Sequence, residues 1–403
     1  MKGAFQIAKF FGIPVQVHWT FMLIFVYVFY EGMGKSMSWS EMGWVMVFVL
    51  ALFACVVLHE FGHALTARRF GVDTRDIILS PIGGVARLDR LPEQPMHEFL
   101  VAIAGPMVNI AIGAVLSFIP LLASEESRQN FVNLFMQVIY PQSNFFVSDP
   151  SPLQYFLFGL VALNIILAIF NLLPAFPMDG GRVLRALLSL RLGRLRATQI
   201  AVYIGQLFAV LLVAYGLWNM HYITALIGLF VFFTAANEYR MVKLDEVLEG
   251  HQARDILRRQ FTKLYTHDEV SLALGPLNQG IERNFLVFDE WQNLVGVLPE
   301  ERILDAAKKE KEGEQHSILA GQLVNNRFES ILASDSLKSL FPKMQWKGHR
   351  ILPVYDKGKL VGVVDKNALN NFISLQARME KQNSPGRFWQ GLFRSRRGRL
   401  ENN

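Results

Sequence analysis

Residues 44–58 hold fifteen side chains without a single charge, and they run directly into His59-Glu60-Phe61-Gly62-His63. A run this apolar is suited to lipid, and a segment of roughly 20 such residues crosses a bilayer core of about 30 Å. Two imidazoles and a carboxylate at its end are costly in that setting, so they point to a functional site. On a helix, His59 and His63 stand four residues apart and project from one face, the separation that lets a single helix give two ligands to one metal ion. Glu60 then sits beside the coordination position left open. HExxH also arises by chance on polar surface helices, and these apolar surroundings exclude one.

With 52% hydrophobic residues in 403, the chain falls among membrane proteins rather than ordinary globular ones. The apolar runs lie within residues 1–240, whereas residues 241–403 alternate charges with short hydrophobic groups as a soluble domain does. The net charge of +6 suits an anionic membrane surface and gives no case for nucleic acid. Cys55 is the one cysteine, so no internal disulfide is expected, and inside an apolar run it reads as a small buried hydrophobe. No cleavable signal peptide is expected, and the first hydrophobic run reads as a retained span.

Six stretches are long enough to span: 13–30, 43–65, 99–123, 152–173, 197–218 and 222–239, the last two forming a tight helical hairpin around Met220. Twelve basic residues precede the first span or follow the second and fourth, against Lys35 and Arg128 on the other side. The positive-inside rule therefore places both termini in the cytoplasm. His59 lies nine residues from Arg68, about 13 Å at the helical rise, so the site is within the membrane and nearer the cytoplasm.

Between spans two and three, residues 76–87 form a β-like run broken by Pro81 and by Gly83-Gly84, which suits a membrane-associated hairpin or re-entrant loop. A strand beside the metal could pair with an extended substrate, which gives Gly83 and Gly84 a substrate-binding or gating role; a plain cytoplasmic hairpin fits equally. Gly105-Pro106 and Asn109 in span three read as helix-packing features. Phe131, Leu134, Phe135, Val138 and Ile139 have helical spacing and predict a short helix on the outer membrane surface.

The fourth span ends in Asn171-Leu172-Leu173-Pro174-Ala175-Phe176-Pro177-Met178-Asp179-Gly180-Gly181-Arg182. Pro174 and Pro177 cannot continue a helix, and the glycine pair allows a sharp turn before a helix predicted to begin at Arg182. Asp179 is thus expected on irregular backbone at the edge of the apolar zone. Alone it reads as a turn or capping residue; beside a metal held by His59 and His63 it reads as the missing third ligand. Two imidazoles, a carboxylate and a water make the open site of a zinc hydrolase, although iron or cobalt also accepts such donors. Glu60 would take the proton of the water and pass it to the leaving amine. Asn171 serves either as an interhelical hydrogen-bonding group or as a polar contact to substrate or water. His18 reads as part of an interfacial aromatic belt with Trp19.

These residues together resemble the site-2 protease family of intramembrane zinc metalloproteases over about residues 1–240. The resemblance implies that one zinc ion is held by His59, His63 and Asp179, that Glu60 is the catalytic base, and that Asn171 lies near the substrate or its gate. It also implies a transmembrane protein as substrate, in a prokaryotic inner membrane.

In the soluble half, residues 285–297 and 351–363 both read as strand, polar turn, strand, each followed by a helical stretch. They resemble a pair of CBS domains, expected over 246–306 and 316–375. That resemblance implies a regulatory module that commonly binds adenine nucleotides and commonly dimerises. Where nucleotide-binding units usually carry Thr or Ser and then Asp, this chain has Pro299 and Arg302, and Asp365 and Ala368. Homodimerisation or substrate gating is therefore expected in preference to nucleotide binding. A tail over 376–403 interleaves aromatic residues with arginines and suits contact with membrane lipids, or a solvated end.

The predicted fold is thus a polytopic α-helical membrane protein with six transmembrane helices and a β-like hairpin, joined to a soluble α/β pair. Two other functions compete with proteolysis. A zinc transporter gated by the soluble pair would use the polar site but leaves Glu60 without a task, and a silent helix-binding protein would need no metal chemistry.

Overall fold

In the computed structural model, residues 3–81, 83–88, 94–140, 151–311, 317–345 and 350–383 are described. The chain divides into two units, Met1–Val242 and Lys243–Asn403.

The first unit opens with a strand hairpin, β1 (Ala4–Phe10) and β2 (Ile13–His18). The turn between them uses Phe11 and Gly12, both at positive φ. β2 runs parallel to β3 (Thr74–Ser80), pairing Val15 with Ile77 and Val17 with Leu79, and β3 pairs antiparallel with β4 (Gly83–Leu88). The sheet order is β1-β2-β3-β4, which leaves β4 as an edge. Ile13, Val15, Ile77 and Leu79 bury one face against Phe61 and Ala64 of the long helix described next.

This corrects the expected span over 13–30. Ile13, Val15 and Val17 alternate with Pro14, Gln16 and His18, a period of two that suits a half-buried strand. The helix that follows, α1 (Met22–Gly34), has 13 residues, about 20 Å and short of a full crossing. Between them His18 caps the turn Trp19–Phe21, its Nδ1 2.8 Å from Oγ1 of Thr20.

α2 (Trp39–Arg69) begins at a capping box in which Ser38 and Glu41 satisfy each other's backbone donors, and its 31 residues extend about 46 Å. α3 (Pro95–Leu121), α4 (Glu125–Ile139) and α5 (Pro152–Asn171) follow. Then come α6 (Asp179–Leu192), α7 (Arg194–Trp218) and α8 (Tyr222–Leu248). Among the described residues α2, α3, α5, α7 and α8 are long and apolar enough to cross a membrane. Much of their apolar surface faces outward, as on helices solvated by lipid: Leu50, Val115, Leu211 and Phe230 are all exposed. Met220, at φ 56, sits between α7 and α8.

α4 is the short helix expected around residues 131–139, and it packs in part on α5. Phe131 and Leu134 are buried, and the Phe135 ring meets Phe158 of α5 edge-on at 4.8 Å. Protein covers the Phe131 and Leu134 part of its apolar face, whereas Val138 and Ile139 are exposed.

The second unit has two three-stranded sheets of one design. β5 (Lys263–Tyr265) leads through α9 (Leu274–Asn278) to the hairpin of β6 (Asn284–Phe288) and β7 (Leu294–Pro299), and α10 (Glu300–Lys311) closes the half. After the turn α11 (Ala320–Leu323), β8 (Ile331–Leu332), α12 (Leu337–Gln345), β9 (Ile351–Asp356), β10 (Lys359–Asp365) and α13 (Lys366–Asn383) repeat the order. In each half the first strand is parallel to the second and the second antiparallel to the third.

Lead-in segments are exchanged between these halves. Leu248, Ala253 and Ile256 pack with Leu337, Leu352 and Val364 of the second half, while Ile318 and Ala320 pack with Leu264, Phe285 and Leu298 of the first. Arg302 donates from Nη1 to the carbonyls of Leu323 and Val324 at 2.6 and 3.2 Å. Ala368 donates its backbone N–H to Asp365 at 2.7 Å. The arginine-rich stretch 387–399 lies outside the described residues.

Candidate active site

α2 carries His59 and His63 one turn apart, both buried. Across from them stands Asp179 on α6. Nε2 of His59 and Nε2 of His63 are 3.1 Å apart, and Oδ2 of Asp179 lies 3.3 Å from the first and 3.2 Å from the second. The sequence separation of His63 and Asp179 is 116 residues, so this meeting is a product of the fold.

Asp179 is the first residue of α6, with Met178 as N-cap, and not on irregular backbone ahead of a helix at Arg182. The reason is steric. A β-carbon on Gly180 would overlap the carbonyls of Leu172 and Leu173, and one on Gly181 would lie 2.6 Å from the Phe176 nitrogen. The glycine pair lets α6 start flush against the end of α5, inside the space a turn would have used.

The donor set fits zinc. Donors about 2.0–2.1 Å from an ion at tetrahedral angles stand about 3.3 Å from one another, close to the triangle observed here. Nδ1 of His63 lies 2.7 Å from the carbonyl oxygen of Val101, so it carries the proton and donates, which leaves the Nε2 lone pair free for a metal. Nδ1 of His59 is buried with no partner among the described residues. Gly105 of α3 makes room for the triangle, since a β-carbon there would overlap Nε2 of His63 and lie 2.7 Å from Nε2 of His59. Gly62 lets α2 approach α3 in the same way, 2.8 Å from the Ala104 carbonyl if a β-carbon were added.

Glu60 is half-buried on the same helix, and its Oε2 accepts the backbone N–H of Ala86 on β4 at 2.9 Å. Gly84 passes so near that a β-carbon would meet Cγ of Glu60 at 2.9 Å. Gly83 has φ +133, a backbone conformation that favours glycine. Asn171 is the last residue of α5 and half-buried.

Three ion pairs that sequence reasoning missed, two of them made by one arginine, support this arrangement. Asp76 on β3 is buried and takes both Nε, at 2.6 Å, and Nη2 of Arg87 on β4, locking the hairpin that carries Ala86. Arg185 of α6 is fully buried between Glu98 of α3 and Glu238 of α8, although its position after span four had counted it among the cytoplasmic loop charges. The available signal was Glu98 and Glu238, two carboxylates at the ends of apolar stretches.

The model of Peptidase family M50 matches residues 47–212, from α2 into α7. A zinc metalloprotease of Methanocaldococcus jannaschii is 38% identical over 257 residues, 64% of this chain and 67% of that protein. The solved site-2 protease of Methanocaldococcus jannaschii is 35% identical, covers 59% of this chain and 95% of its own, and has a TM-score of 0.41. For the second unit, the crystal structure of CBSX2 in complex with AMP is 22% identical over 32% of this chain and 99% of its own, with a TM-score of 0.27. With its paired histidines, its remote aspartate and a relative this similar, the chain belongs to peptidase family M50, the site-2 type zinc metalloproteases of membranes.

Proposed function

We propose that His59, His63 and Asp179 hold one zinc ion per chain and that Glu60 is the general base for hydrolysis of a peptide bond within or near a transmembrane segment of a membrane protein. The observation that carries this reading is the triangle of donor atoms 3.1–3.3 Å on edge, next to Glu60 on a helix of the membrane unit. When bound, the ion would lower the pKa of a water and polarise the scissile carbonyl.

The chain's own residues supply the rest. His63 is oriented by the Val101 carbonyl, which holds the proton of the neutral ring on Nδ1 and turns Nε2 toward the metal position. Glu60 has one carboxylate oxygen engaged by Ala86 N–H, so the carboxylate is fixed in direction while its other oxygen stays able to take a proton and return it to the leaving amine. Groups along a strand alternate between its two edges, so Gly84 and Ala86 present theirs on the outer edge of β4. An extended substrate added to that edge would run past Glu60. Gly83 and Gly84 keep this passage narrow and free of side chains, and Asn171, at the end of α5, is the polar group offered to the substrate or its gate.

The charge asymmetry favours cytoplasmic termini in a prokaryotic inner membrane, with lipids as partners. The second unit serves as a dimerising or gating module. Arg302 is committed to two carbonyls and Asp365 to the Ala368 N–H, in the places where a nucleotide-binding pair uses other residues, so adenine nucleotide is not expected as its ligand.

Purified protein in detergent tests the reading. Glu60→Gln should keep its zinc and lose cleavage of a transmembrane substrate. If that variant still cuts, or if the wild type cuts nothing while moving zinc across liposomes, the reading fails.

A further inference from the structure

The most deeply buried charge among the described residues lies outside the donor triangle. Arg185 has no exposed surface and is the largest fully buried side chain. Its Nε donates to Oε1 of Glu98 at 2.7 Å, its Nη2 donates to the same oxygen, and its Nη1 donates to Oε1 of Glu238 at 2.7 Å. The guanidinium carbon also lies 5.0 Å from the centre of the Phe176 ring, itself buried with Ala201, Val202 and Ala235. One cation therefore ties α6 to α3, to α8 and to the turn that precedes Asp179. A fork with three directed donations and an aromatic face is a geometry only arginine supplies.

What this cation holds matters for the site. Glu98, Val101 and Gly105 follow on α3 at i, i+3 and i+7, so they share one helix face. Val101 orients His63, Gly105 lies against both imidazoles, and Glu98 holds Arg185. The face of α3 that seats the two histidines is thus the face that anchors the helix beginning with Asp179. Phe176 lies three residues before Asp179 and Arg185 six after it, so the aspartate is gripped from both sides.

We propose that Arg185 is a positioning residue for the metal: through Glu98, Glu238 and Phe176 it fixes Asp179 against the two imidazoles and so sets zinc affinity. This rests on the reading of His59, His63 and Asp179 as the ligands. A purely structural ion cluster would behave differently, since its loss would take fold and zinc together, whereas a positioning role leaves folded protein with weakened metal.

The test is a zinc dissociation constant, measured on the full chain in detergent by competition with a chromogenic chelator, beside size-exclusion profiles. Arg185→Gln should stay monodisperse and bind zinc 10–100-fold more weakly, the usual cost of removing a partner that orients a ligand. Arg185→Lys should fall between it and the wild type, and Glu238→Gln should lose a few-fold. Saturating zinc should restore kcat in each with KM for the substrate unchanged. Binding within twofold of wild type in folded Arg185→Gln overturns the proposal. Should that variant not fold, Arg185→Lys and Glu238→Gln decide by the same criterion. Asp179→Ala run in parallel separates the two readings. If it leaves zinc affinity intact, the ligand assignment itself fails; if it weakens binding and the Arg185 and Glu238 variants do not, only the positioning role fails.

Discussion

Ala86 on the edge strand β4 donates its backbone N–H to Oε2 of Glu60 on α2 at 2.9 Å, so the sheet and the HExxH helix share one hydrogen bond at the reacting end of the site. Beside it Gly84 leaves no room for a side chain, because a β-carbon would stand 2.9 Å from Cγ of Glu60 and 3.0 Å from Cγ1 of Val56. Gly84→Val should therefore displace Glu60 and lower kcat by about 10–100-fold, within the range that a positioned general base contributes. Zinc content, measured on the same preparation, should stay at the wild-type level. A normal kcat would show that Glu60 needs no support from β4.

Gly105→Ala tests the room behind the imidazoles. The added methyl would overlap Nε2 of His63, which the Val101 carbonyl holds from its other ring nitrogen and which therefore has little freedom to retreat. Zinc retention after dialysis should be lost, and cleavage with it. Gly113→Ala on the same helix is the control, since its nearest neighbour would be Cγ1 of Ile165 at an ordinary 3.7 Å. Equal zinc retention in the two variants would remove Gly105 from the site.

How much of this was legible depends on how local each signal is. The two histidines and Glu60 lie within five residues, and Asp179 stands out as a carboxylate after a Pro-interrupted span, so pattern and polarity expose them. Residues 13–18 misled because Ile13, Val15 and Val17 continue into the apolar Met22–Gly34, and a summed apolar run hides a change of period from two to 3.6. The pairing of Arg185 with Glu98 spans 87 residues and joins helices whose contact no local spacing encodes. The start of α6 at Asp179 depended on glycine against carbonyl contacts that only the folded turn contains.

The hairpin lock makes a stability prediction. Asp76 has a nearly closed side chain while Arg87 is 37% exposed, so solvent screens the pair from one side. Asp76→Asn leaves a buried polar group with a poorer partner and should cost about 1–3 kcal/mol. For a unit of this size that lowers the melting midpoint by roughly 2–10 °C. Detergent-phase thermal melts would check it, and a midpoint unchanged within error would mean that the sheet is held by its packing on Phe61 and Ala64 alone.

Metal removal separates the residues that would hold the ion from the one that would use it. A ligand bound only by the folded state stabilises it in proportion to the logarithm of its concentration over the dissociation constant, about 2.7 kcal/mol at a hundredfold excess. For the wild type stripped with a chelator, adding zinc should raise the melting midpoint by roughly 5–10 °C. His63→Ala and Asp179→Ala should show little of that rise, because each removes one corner of the donor triangle. Glu60→Gln should show all of it, since its carboxylate faces Ala86 and not the other three donor atoms. A full zinc-dependent rise in Asp179→Ala would place the third donor elsewhere, and a missing rise in Glu60→Gln would make Glu60 a ligand rather than the base.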